Sequence, residues 1–264
     1  MTNNNSSVLS KFGFKFDKGG AHLARTMMFD ELRNVLSYVK IPNPSKNDFI
    51  SAIEIDNCLG KRSGKSRILS ARHLVDLYSL DPSKPIFRSL LYFWTRDVEG
   101  QPLLALSCAY CRDAILRMSA PFILNFSEGT VISRQEVERF IEKCFPDRYS
   151  AAMLKSAAQN INGTWTKAGH LVGKAKKVRS RASPTPGSVS FALYLGYISG
   201  ARGQELLTTE YMKILDCTPD KAIELAEIAS RRGWIVFKRV GNVMEVQFPN
   251  LITTQEKEWL YGQN

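Results

Sequence analysis

The sequence predicts a mainly α-helical fold with small β-hairpins, and three observations carry this prediction. Apolar residues recur at helical spacing through most of the chain. Strand-like patterns are confined to two segments, residues 171–183 and 234–248. Glycine and proline interrupt the helical pattern at intervals that suit helices of ordinary length. With 264 residues, the chain has room for one large domain or two smaller ones.

The first 130 residues are predicted to form a helical domain. Residues 1–11 are rich in Asn and Ser, and we expect them to form a frayed tail. The apolar spacing then predicts helices over residues 21–39, 45–55, 70–80, 86–95 and 103–118. The last two segments are apolar on nearly every face, so we expect them to be buried.

The remaining residues show helix starts and two hairpin-like segments. Ser133 and Glu136 have the spacing of a capping box, which predicts a helix over residues 133–144. A longer helix is expected from residue 150 to 161, open to extension as far as 168. Residues 183–187, Ser-Pro-Thr-Pro-Gly, are predicted to be a linker. Beyond it we expect helices over residues 189–199, 208–215 and 219–232, and a hairpin over 235–248 that turns at Gly241-Asn242.

The same order of elements occurs twice along the chain. Helices followed by a hairpin run from residue 133 to 183 and again from 187 to 248. This is the order of a winged helix-turn-helix, so we predict tandem winged helix-turn-helix-like units after the helical region. An unrelated α+β domain with one hairpin is the alternative. The predicted domains are residues 1–130, 131–184 and 185–264.

Positive charge is concentrated in one part of the sequence. The chain has 36 Lys and Arg residues against 25 Asp and Glu, a formal net charge of +11. Residues 148–204 contain no Asp or Glu, but nine cations: Arg148, Lys155, Lys167, Lys174, Lys176, Lys177, Arg179, Arg181 and Arg202. Solvated faces usually mix both signs, so this segregation favours a polyanionic partner such as nucleic acid. A basic surface that serves only solubility is the alternative.

Two neighbouring elements in this acid-free window supply the main nucleic-acid-binding candidates. The predicted helix offers amides and cations for base edges and phosphates, at Lys155, Gln159, Asn160 and Lys167. The strand-like segment offers Lys174, Lys176, Lys177, Arg179 and Arg181. Strand alternation places Lys177, Arg179 and Arg181 on one side and Val178 on the other, which suits a wing lying along a phosphate backbone. Trp165 is expected to pack the wing onto the helix.

Two further groups of cations are weaker candidates. A basic stretch between residues 61 and 72, predicted to be a loop between helices, contributes Lys61, Arg62, Lys65 and Arg67. The C-terminal hairpin contributes Lys238 and Arg239. The helix over residues 219–232 carries Asp220, Glu224 and Glu227, which phosphates would repel, so we expect a structural or protein-contact role for it.

No enzyme signature accompanies these residues, so we predict a protein without catalytic, cofactor-binding or metal-binding groups. The segment from Gly60 to Ser66 resembles a phosphate-binding loop, but three residues separate its glycines where that loop has four. Cys108 and Cys111 are expected to be core thiols one helical turn apart. The odd number of cysteines, five, indicates reduced thiols and a cytoplasmic protein. The apolar stretches are too short to span a membrane.

Two segments carry a resemblance to a known family. Lys18-Gly19-Gly20-Ala21 leads into Met28-Phe29-Asp30-Glu31-Leu32, and the central helix closes with Trp165-Thr166-Lys167-Ala168-Gly169-His170-Leu171. These segments resemble the BrxA family of BREX phage-defence systems, and the resemblance spans most of the chain. It implies a non-enzymatic, mainly helical DNA-binding component of a multi-protein anti-phage system.

These observations favour binding of double-stranded DNA with limited sequence specificity. The alternative is a scaffold whose helical surfaces dock a larger partner, such as another protein component of a defence complex. RNA ranks below DNA, because the sequence offers no strand with the aromatic residues on which RNA-binding sheets stack bases.

Overall fold

Thirteen α-helices and five short strands lie in the part of the chain that the computed structural model describes, residues 3–16, 19–241 and 243–262. The predicted mainly helical fold with small antiparallel β-structure is therefore confirmed. Lys18 of the glycine-containing motif and Asn242 of the hairpin turn lie outside the described residues.

Up to Leu124, the regular elements of the described residues are all helices. They are α1 (Asn3–Phe12), a 3-10 turn (Ala21–Leu23), α2 (Phe29–Tyr38), α3 (Lys46–Glu54), α4 (Gly64–Tyr78), α5 (Pro85–Trp94), α6 (Gln101–Arg112) and α7 (Ala114–Leu124). Helices α5 and α6 are buried over most of their surface, as their apolar composition predicts.

The C-terminal half adds the strands. In chain order it contains β1 (Val131–Ile132), α8 (Arg134–Cys144), α9 (Ala151–Lys167), β2 (Leu171–Val172), β3 (Lys177–Arg179), α10 (Pro186–Ile198), a 3-10 turn (Gly203–Leu207), α11 (Glu210–Lys213), α12 (Pro219–Arg231), β4 (Val236–Val240), β5 (Val243–Gln247) and α13 (Thr254–Tyr261). The hairpin expected over residues 235–248 is confirmed, because β4 and β5 pair antiparallel.

The predicted frayed tail is wrong for the described residues, because α1 is part of the core. Leu9 and Phe12 are fully buried. They lie three residues apart on one face of the helix, so the Asn- and Ser-rich composition hides a short apolar stripe.

Two long helices predicted from apolar spacing are interrupted. The helix expected over residues 21–39 is broken at Met28, which has a left-handed backbone with φ of 49°. The helix expected over residues 103–118 is divided at Asp113, whose side chain accepts a hydrogen bond from Leu116 N–H and caps α7. Side-chain caps compete with helix continuation, and apolar spacing alone does not register them.

The basic stretch from Lys61 to Arg72 is also not a loop throughout. Ser63 caps a helix whose first residue is Gly64, so Lys65, Arg67 and Arg72 lie on α4. This capping box pairs Ser63 with Ser66 rather than with a Glu or Gln.

Three strands form a small antiparallel sheet around α8 and α9. Its order is β1-β3-β2, so the strand that precedes α8 pairs with the second strand after α9. Val131 lies opposite Val178, and Leu171 lies opposite Arg179. The capping box predicted at the start of α8 is confirmed, since Ser133 and Glu136 bond each other's backbone N–H groups.

Residues 183–187 form a helix start rather than a linker. Thr185 is buried and caps α10, and Pro186 is the first helical residue. Gly187 N–H donates to Asp97 Oδ2 at 2.6 Å, which fixes the start of α10 beside the end of α5. A Cβ at Gly187 would lie 2.4 Å from that carboxylate oxygen, so this approach requires glycine.

The buried residues form one contiguous hydrophobic cluster that includes members of all three predicted domains. Helix α13 joins it from the C-terminal end, where Arg88 on α5 donates to both carboxylate oxygens of the buried Glu256. None of the helices in the described ranges combines the length and the apolar composition that crossing a lipid bilayer requires.

Candidate nucleic-acid interface

Helix α9 is the element around which the candidate interface is built. Ser150 caps its start by accepting a hydrogen bond from Met153 N–H. Its apolar face, which includes Ala158 and Ile161, is buried against the core, and α9 packs along α8. Lys155 and Gln159 lie on its exposed face, as a nucleic-acid-binding role requires.

A buried polar network fixes α9 to the N-terminal region. His22 Nδ1 lies 2.9 Å from Asp113 Oδ2, and His22 Nε2 lies 2.9 Å from Thr164 Oγ1. Burial opposes ionisation of Asp113, but the His22 imidazole and the N–H groups of Leu116 and His22 outweigh it, so its pKa is lowered.

This network resembles the relay of a hydrolase triad, but its hydroxyl is committed elsewhere. All three side chains are buried, and Thr164 Oγ1 accepts a hydrogen bond from Met27 N–H at 2.8 Å. A substrate cannot reach that hydroxyl in this arrangement, so the network holds α9 in place. Asn160 belongs to the same contact, because its amide donates to the His22 carbonyl at 3.1 Å. Asn160 is thus an anchoring residue rather than an exposed reader of bases.

Trp165 packs inside the protein, as predicted. Its indole N–H donates to Ser119 Oγ at 2.9 Å, and its ring meets His170 edge-on with ring centres 4.7 Å apart. His170 Nε2 lies 2.9 Å from the Ile214 carbonyl oxygen, which can only accept, so Nε2 carries a proton. Burial lowers the pKa of His170 to about 4.

The expectation that Arg179 is exposed beside Lys177 and Arg181 is wrong. Its side chain is only 4% exposed and forms an ion pair with Asp216 at 2.9 Å. It also donates to the carbonyls of His170 and Ser180. Arg179 therefore joins the small sheet to the segment between α11 and α12, and it is removed from the candidate interface.

The sheet register explains this outcome. Side chains on β3 alternate as predicted, but the cationic side is the inner one. Lys177 lies opposite Ile132 and Arg179 lies opposite Leu171, and both partners are buried. The outer side presents Val131 and Val172, which are exposed.

Two other predicted cations meet carboxylates from outside the acid-free window. Lys167 pairs with Asp30 on α2 at 2.8 Å, and its ammonium lies 5.3 Å from the centre of the Phe29 ring. Arg181 pairs with Glu128 at 3.4 Å on an exposed surface. These contacts reduce the charge that a nucleic acid would meet.

Within the acid-free window, three predicted lysines are exposed and pair with no carboxylate in the described ranges: Lys155, Lys174 and Lys176. Lys174 and Lys176 lie in the loop between β2 and β3. Gly173 starts this loop with φ of 94°, and its carbonyl accepts a hydrogen bond from Lys177 Nζ at 2.7 Å. Partial burial lowers the pKa of Lys177. The loop thus projects two unpaired lysines beside α9.

A cleft of about 740 Å³ separates this loop from the helices. It is lined by the start of α8, the middle of α9 and residues 174–177. Four of its described lining residues are cations, Arg134, Lys174, Lys176 and Lys177, and none is Asp or Glu. Arg134 is also paired with Glu138 at 3.2 Å. Its contribution was missed from the sequence, although its position at a helix start was predicted.

The weaker candidates are spread over other surfaces. Lys61 pairs with Glu31 at 3.2 Å, and the Arg67 guanidinium donates to the Ile55 carbonyl at 3.3 Å. Arg62 and Lys65 are exposed at the start of α4. Lys238 and Arg239 are exposed on β4, near the tip of the C-terminal hairpin.

None of the five cysteines, which all lie in the described ranges, forms a disulfide bond. Cys108 and Cys111 are fully buried on α6, as expected for core thiols, and burial raises the pKa of Cys108 to about 12. The five cysteines are free thiols. The described residues include no cluster of three or more His, Cys, Asp or Glu placed to hold a metal ion.

No protein-family model matches this sequence, and comparison with curated proteins finds no match to it either.

Proposed function

We propose that this chain binds double-stranded DNA through α9 and the loop between β2 and β3. The observation that carries the proposal is the set of three exposed lysines, Lys155, Lys174 and Lys176, which have no carboxylate partner among the described residues. An unpaired lysine can displace the cations that surround a phosphate, and the release of those cations favours binding. Gln159, exposed on the same helix, offers a carboxamide to base edges.

The topology supports a winged helix-turn-helix as the binding unit. Helix α7, β1, α8, α9, β2 and β3 follow one another in the order of that motif, and the strand order β1-β3-β2 is compatible with it. In this assignment α9 is the helix that enters the major groove, and the loop from Gly173 to Lys176 is the wing.

A second unit of the same kind is proposed for α10 to β5. Its helix α12 exposes Asp220, Glu224 and Glu227, and Glu224 pairs with Lys221 at 2.9 Å. This helix is a poor partner for phosphates, so we assign it a role in the fold or in protein contacts. Lys238 and Arg239 on its hairpin add contacts to the DNA backbone.

The proposal is tested by charge reversal with a matched control. A labelled duplex of about 30 base pairs is titrated at low salt with the wild type and with a Lys155→Glu/Lys174→Glu/Lys176→Glu variant. The control is Lys40→Glu/Lys46→Glu/Lys213→Glu, which makes the same charge change at three other exposed lysines. The first variant is expected to lose at least about tenfold in affinity, and the control about threefold or less. Equal losses would refute the proposed interface.

A scaffold protein is the second candidate, and exposed apolar side chains favour it. Tyr38, Ile55 and Ile68, on or beside α2, α3 and α4, are each more than half exposed. Apolar residues on a surface that also carries Arg62 and Lys65 suit a protein partner. Failure of the wild type to bind any duplex at low salt would favour this candidate.

Membership of an anti-phage defence system is part of the same proposal. It rests on the resemblance to the BrxA family in the segments around Phe29 and Trp165. Both segments meet in the structure, because Lys167 at the end of α9 contacts Phe29 and Asp30. Protection of cells from phage by the wild-type gene, and loss of protection in the triple lysine variant, would be the corresponding cellular result.

A further inference from the structure

One face of α4 is exposed and carries apolar side chains between two cations. Lys65, Ile68, Leu69 and Arg72 recur at the spacing that places residues on the same side of a helix. Ile68 is 58% exposed and Leu69 is 37% exposed, so the middle of this face is apolar and open to solvent. These four residues are named the α4 face. Grouped apolar side chains that are bordered by polar ones are typical of interaction sites.

The end of α3 widens this apolar surface. The Arg67 guanidinium donates a hydrogen bond to the Ile55 carbonyl at 3.3 Å, which holds the end of α3 beside α4. Ile55 is the C-cap residue of α3, and its side chain is 74% exposed. Arg62, in the segment before α4, is also exposed. The apolar surface therefore involves two helices, and cations border it at this end as well.

A cleft of about 520 Å³ adjoins the C-terminal end of the α4 face. Leu69 and Arg72 line it from α4, and Arg25 lines it from the segment that follows the first 3-10 turn. Burial and the guanidinium groups of Arg25 and Arg72 lower the pKa of His73, which also lines the cleft, against an opposing effect of Asp76. The cleft therefore offers an apolar contact at Leu69 and a positive potential beside it.

The cations around these apolar side chains lack carboxylate partners. Four of them are exposed and form no ion pair within the described ranges: Arg25, Arg62, Lys65 and Arg72. No Asp or Glu occurs between Asp56 and Asp76 in the sequence. Asp76 lines the cleft, but its carboxylate is already paired with Lys15 at 2.7 Å. A partner that brings carboxylates on both sides of apolar groups would therefore complement this surface.

An acidic amphipathic helix matches the surface better than DNA or a lipid bilayer does. Carboxylates seven residues apart on a helix, with apolar side chains between them, have the spacing that separates Lys65 from Arg72. A DNA backbone would lie against Ile55, Ile68 and Leu69 without any gain from their burial. A flat bilayer surface would not fill the cleft, and it would bring lipid phosphates toward Asp76.

We infer that the α4 face and the adjoining cleft dock an acidic amphipathic helix of a partner protein. Apolar side chains of that helix contact Ile68 and Leu69, and its carboxylates pair with Lys65 and Arg72. The inference does not depend on DNA binding through α9. It gives the second candidate function, that of a scaffold, a defined surface and a partner of stated chemistry.

The test uses the full chain and a probe without sequence bias. Random peptides about 16 residues long, enough for about four helical turns, are displayed on yeast and selected for binding to the wild type. The enriched peptides are synthesised, and fluorescence anisotropy gives their affinities for the wild type, for Ile68→Ser/Leu69→Ser and for Val240→Ser/Val243→Ser. The last variant is the control, because it makes the same kind of change at two other exposed apolar residues.

We expect the enriched peptides to carry Asp or Glu on both sides of apolar residues at helical spacing. Ile68→Ser/Leu69→Ser should lose at least about tenfold in affinity, because two apolar contacts are removed, and the control should lose less than about twofold. Lys65→Glu/Arg72→Glu should also lose about tenfold at low salt, and less at higher salt. This charge variant replaces the first one if Ile68→Ser/Leu69→Ser does not fold, because both cations are exposed.

Three results would overturn the inference: no enriched peptide, enriched peptides without carboxylates, or equal affinities for the wild type and Ile68→Ser/Leu69→Ser. Binding of the wild type, but not of that variant, to vesicles of phosphatidylcholine and phosphatidylglycerol in equal parts, without enrichment of acidic peptides, would assign the surface to a membrane instead. A wild type that binds the peptides but no duplex refutes the proposed DNA binding and leaves the docking surface standing. A wild type that binds the duplex but enriches no acidic peptide does the reverse.

Discussion

At the scale of single residues, the Arg179–Asp216 ion pair is the contact that joins the small sheet to the segment between α11 and α12. Removing one partner of a buried pair leaves the other charge without compensation. We therefore expect Arg179→Ala to lower the free energy of unfolding by about 3 kcal/mol, measured by urea denaturation. Arg181→Ala, two residues along on an exposed surface, should change it by less than about 0.5 kcal/mol. A small effect of Arg179→Ala would contradict the buried pair.

His170 makes stability depend on pH. Burial lowers its pKa in the folded state to about 4, and Asp216 and Arg179 are the charged groups that face it. In the unfolded chain it titrates near the ordinary value of 6.5, so the unfolded state takes up the proton first as the pH falls. This contribution is present in full above pH 6.5 and is lost as the pH falls toward 4.

We expect the wild type to lose about 2 kcal/mol of stability from this residue between about pH 7 and pH 5. Urea denaturation of the wild type and of His170→Gln at both pH values measures it. Glutamine keeps an N–H donor for the Ile214 carbonyl but does not titrate. The variant should show a correspondingly smaller pH dependence, and an equal dependence in both proteins would argue against a buried neutral His170.

Some of these residue contacts are predictable from the sequence, and others are not. The alternation along β3 and the packing of Trp165 followed from local patterns. The direction in which Arg179 points does not follow from local patterns. It depends on pairing with Leu171 and on Asp216, which lies 37 positions away. Asn160 was likewise assigned to DNA because its contact with His22 joins distant parts of the chain.

At the scale of elements, a substitution in α1 tests whether the N-terminal segment belongs to the fold. Leu9 is fully buried, so Leu9→Ala removes apolar contacts and leaves a cavity. We expect a loss of about 3 kcal/mol in the free energy of unfolding. Ser10→Ala, at the exposed neighbouring position, is the control and should change stability by less than about 0.5 kcal/mol. Equal, small effects would mean that the segment is a tail after all.

The start of α10 is a second element with a specific requirement. Because a Cβ at Gly187 would meet the Asp97 carboxylate at 2.4 Å, Gly187→Ala should destabilise the protein by about 1–3 kcal/mol. Gly64→Ala is a suitable control, since a Cβ there meets only the Arg67 side chain, at 3.7 Å, and alanine favours the helix. Thermal denaturation compares the two, and a neutral Gly187→Ala would show that Asp97 does not approach α10 this closely.

Element boundaries were predictable where they depend on neighbouring residues in the sequence. The caps of α3 and α8 and the β4–β5 hairpin are of this kind. The breaks at Met28 and Asp113 do not follow from apolar spacing. Next to the first break, Thr164 accepts a hydrogen bond from Met27 N–H, and at the second His22 contacts Asp113, so both breaks involve residues distant in sequence. The composition of residues 183–187 predicts a linker, but proline and serine are also common at helix starts. The buried contact with Asp97 decides between the two.

At the scale of the whole molecule, positive charge is less segregated in the structure than it is along the sequence. The acid-free window contains nine cations, but Asp30, Glu128 and Asp216 approach three of them from other segments. The window's exposed cations without a carboxylate partner in the described ranges are Arg148, Lys155, Lys174, Lys176 and Arg202. Lys174 and Lys176 share one loop beside α9. We propose that Lys155, Lys174 and Lys176 contact DNA phosphates.

The most direct test of this claim is the salt dependence of duplex binding. Each phosphate contact releases counterions, so the slope of log affinity against log salt reports the number of contacts. Affinities are measured between about 50 and 200 mM salt for the wild type and for Lys155→Ala/Lys174→Ala/Lys176→Ala. If the three lysines contact phosphates, the slope of the variant is smaller in magnitude by about 3. An unchanged slope would contradict the claim, because the lost charges would then lie outside the DNA interface.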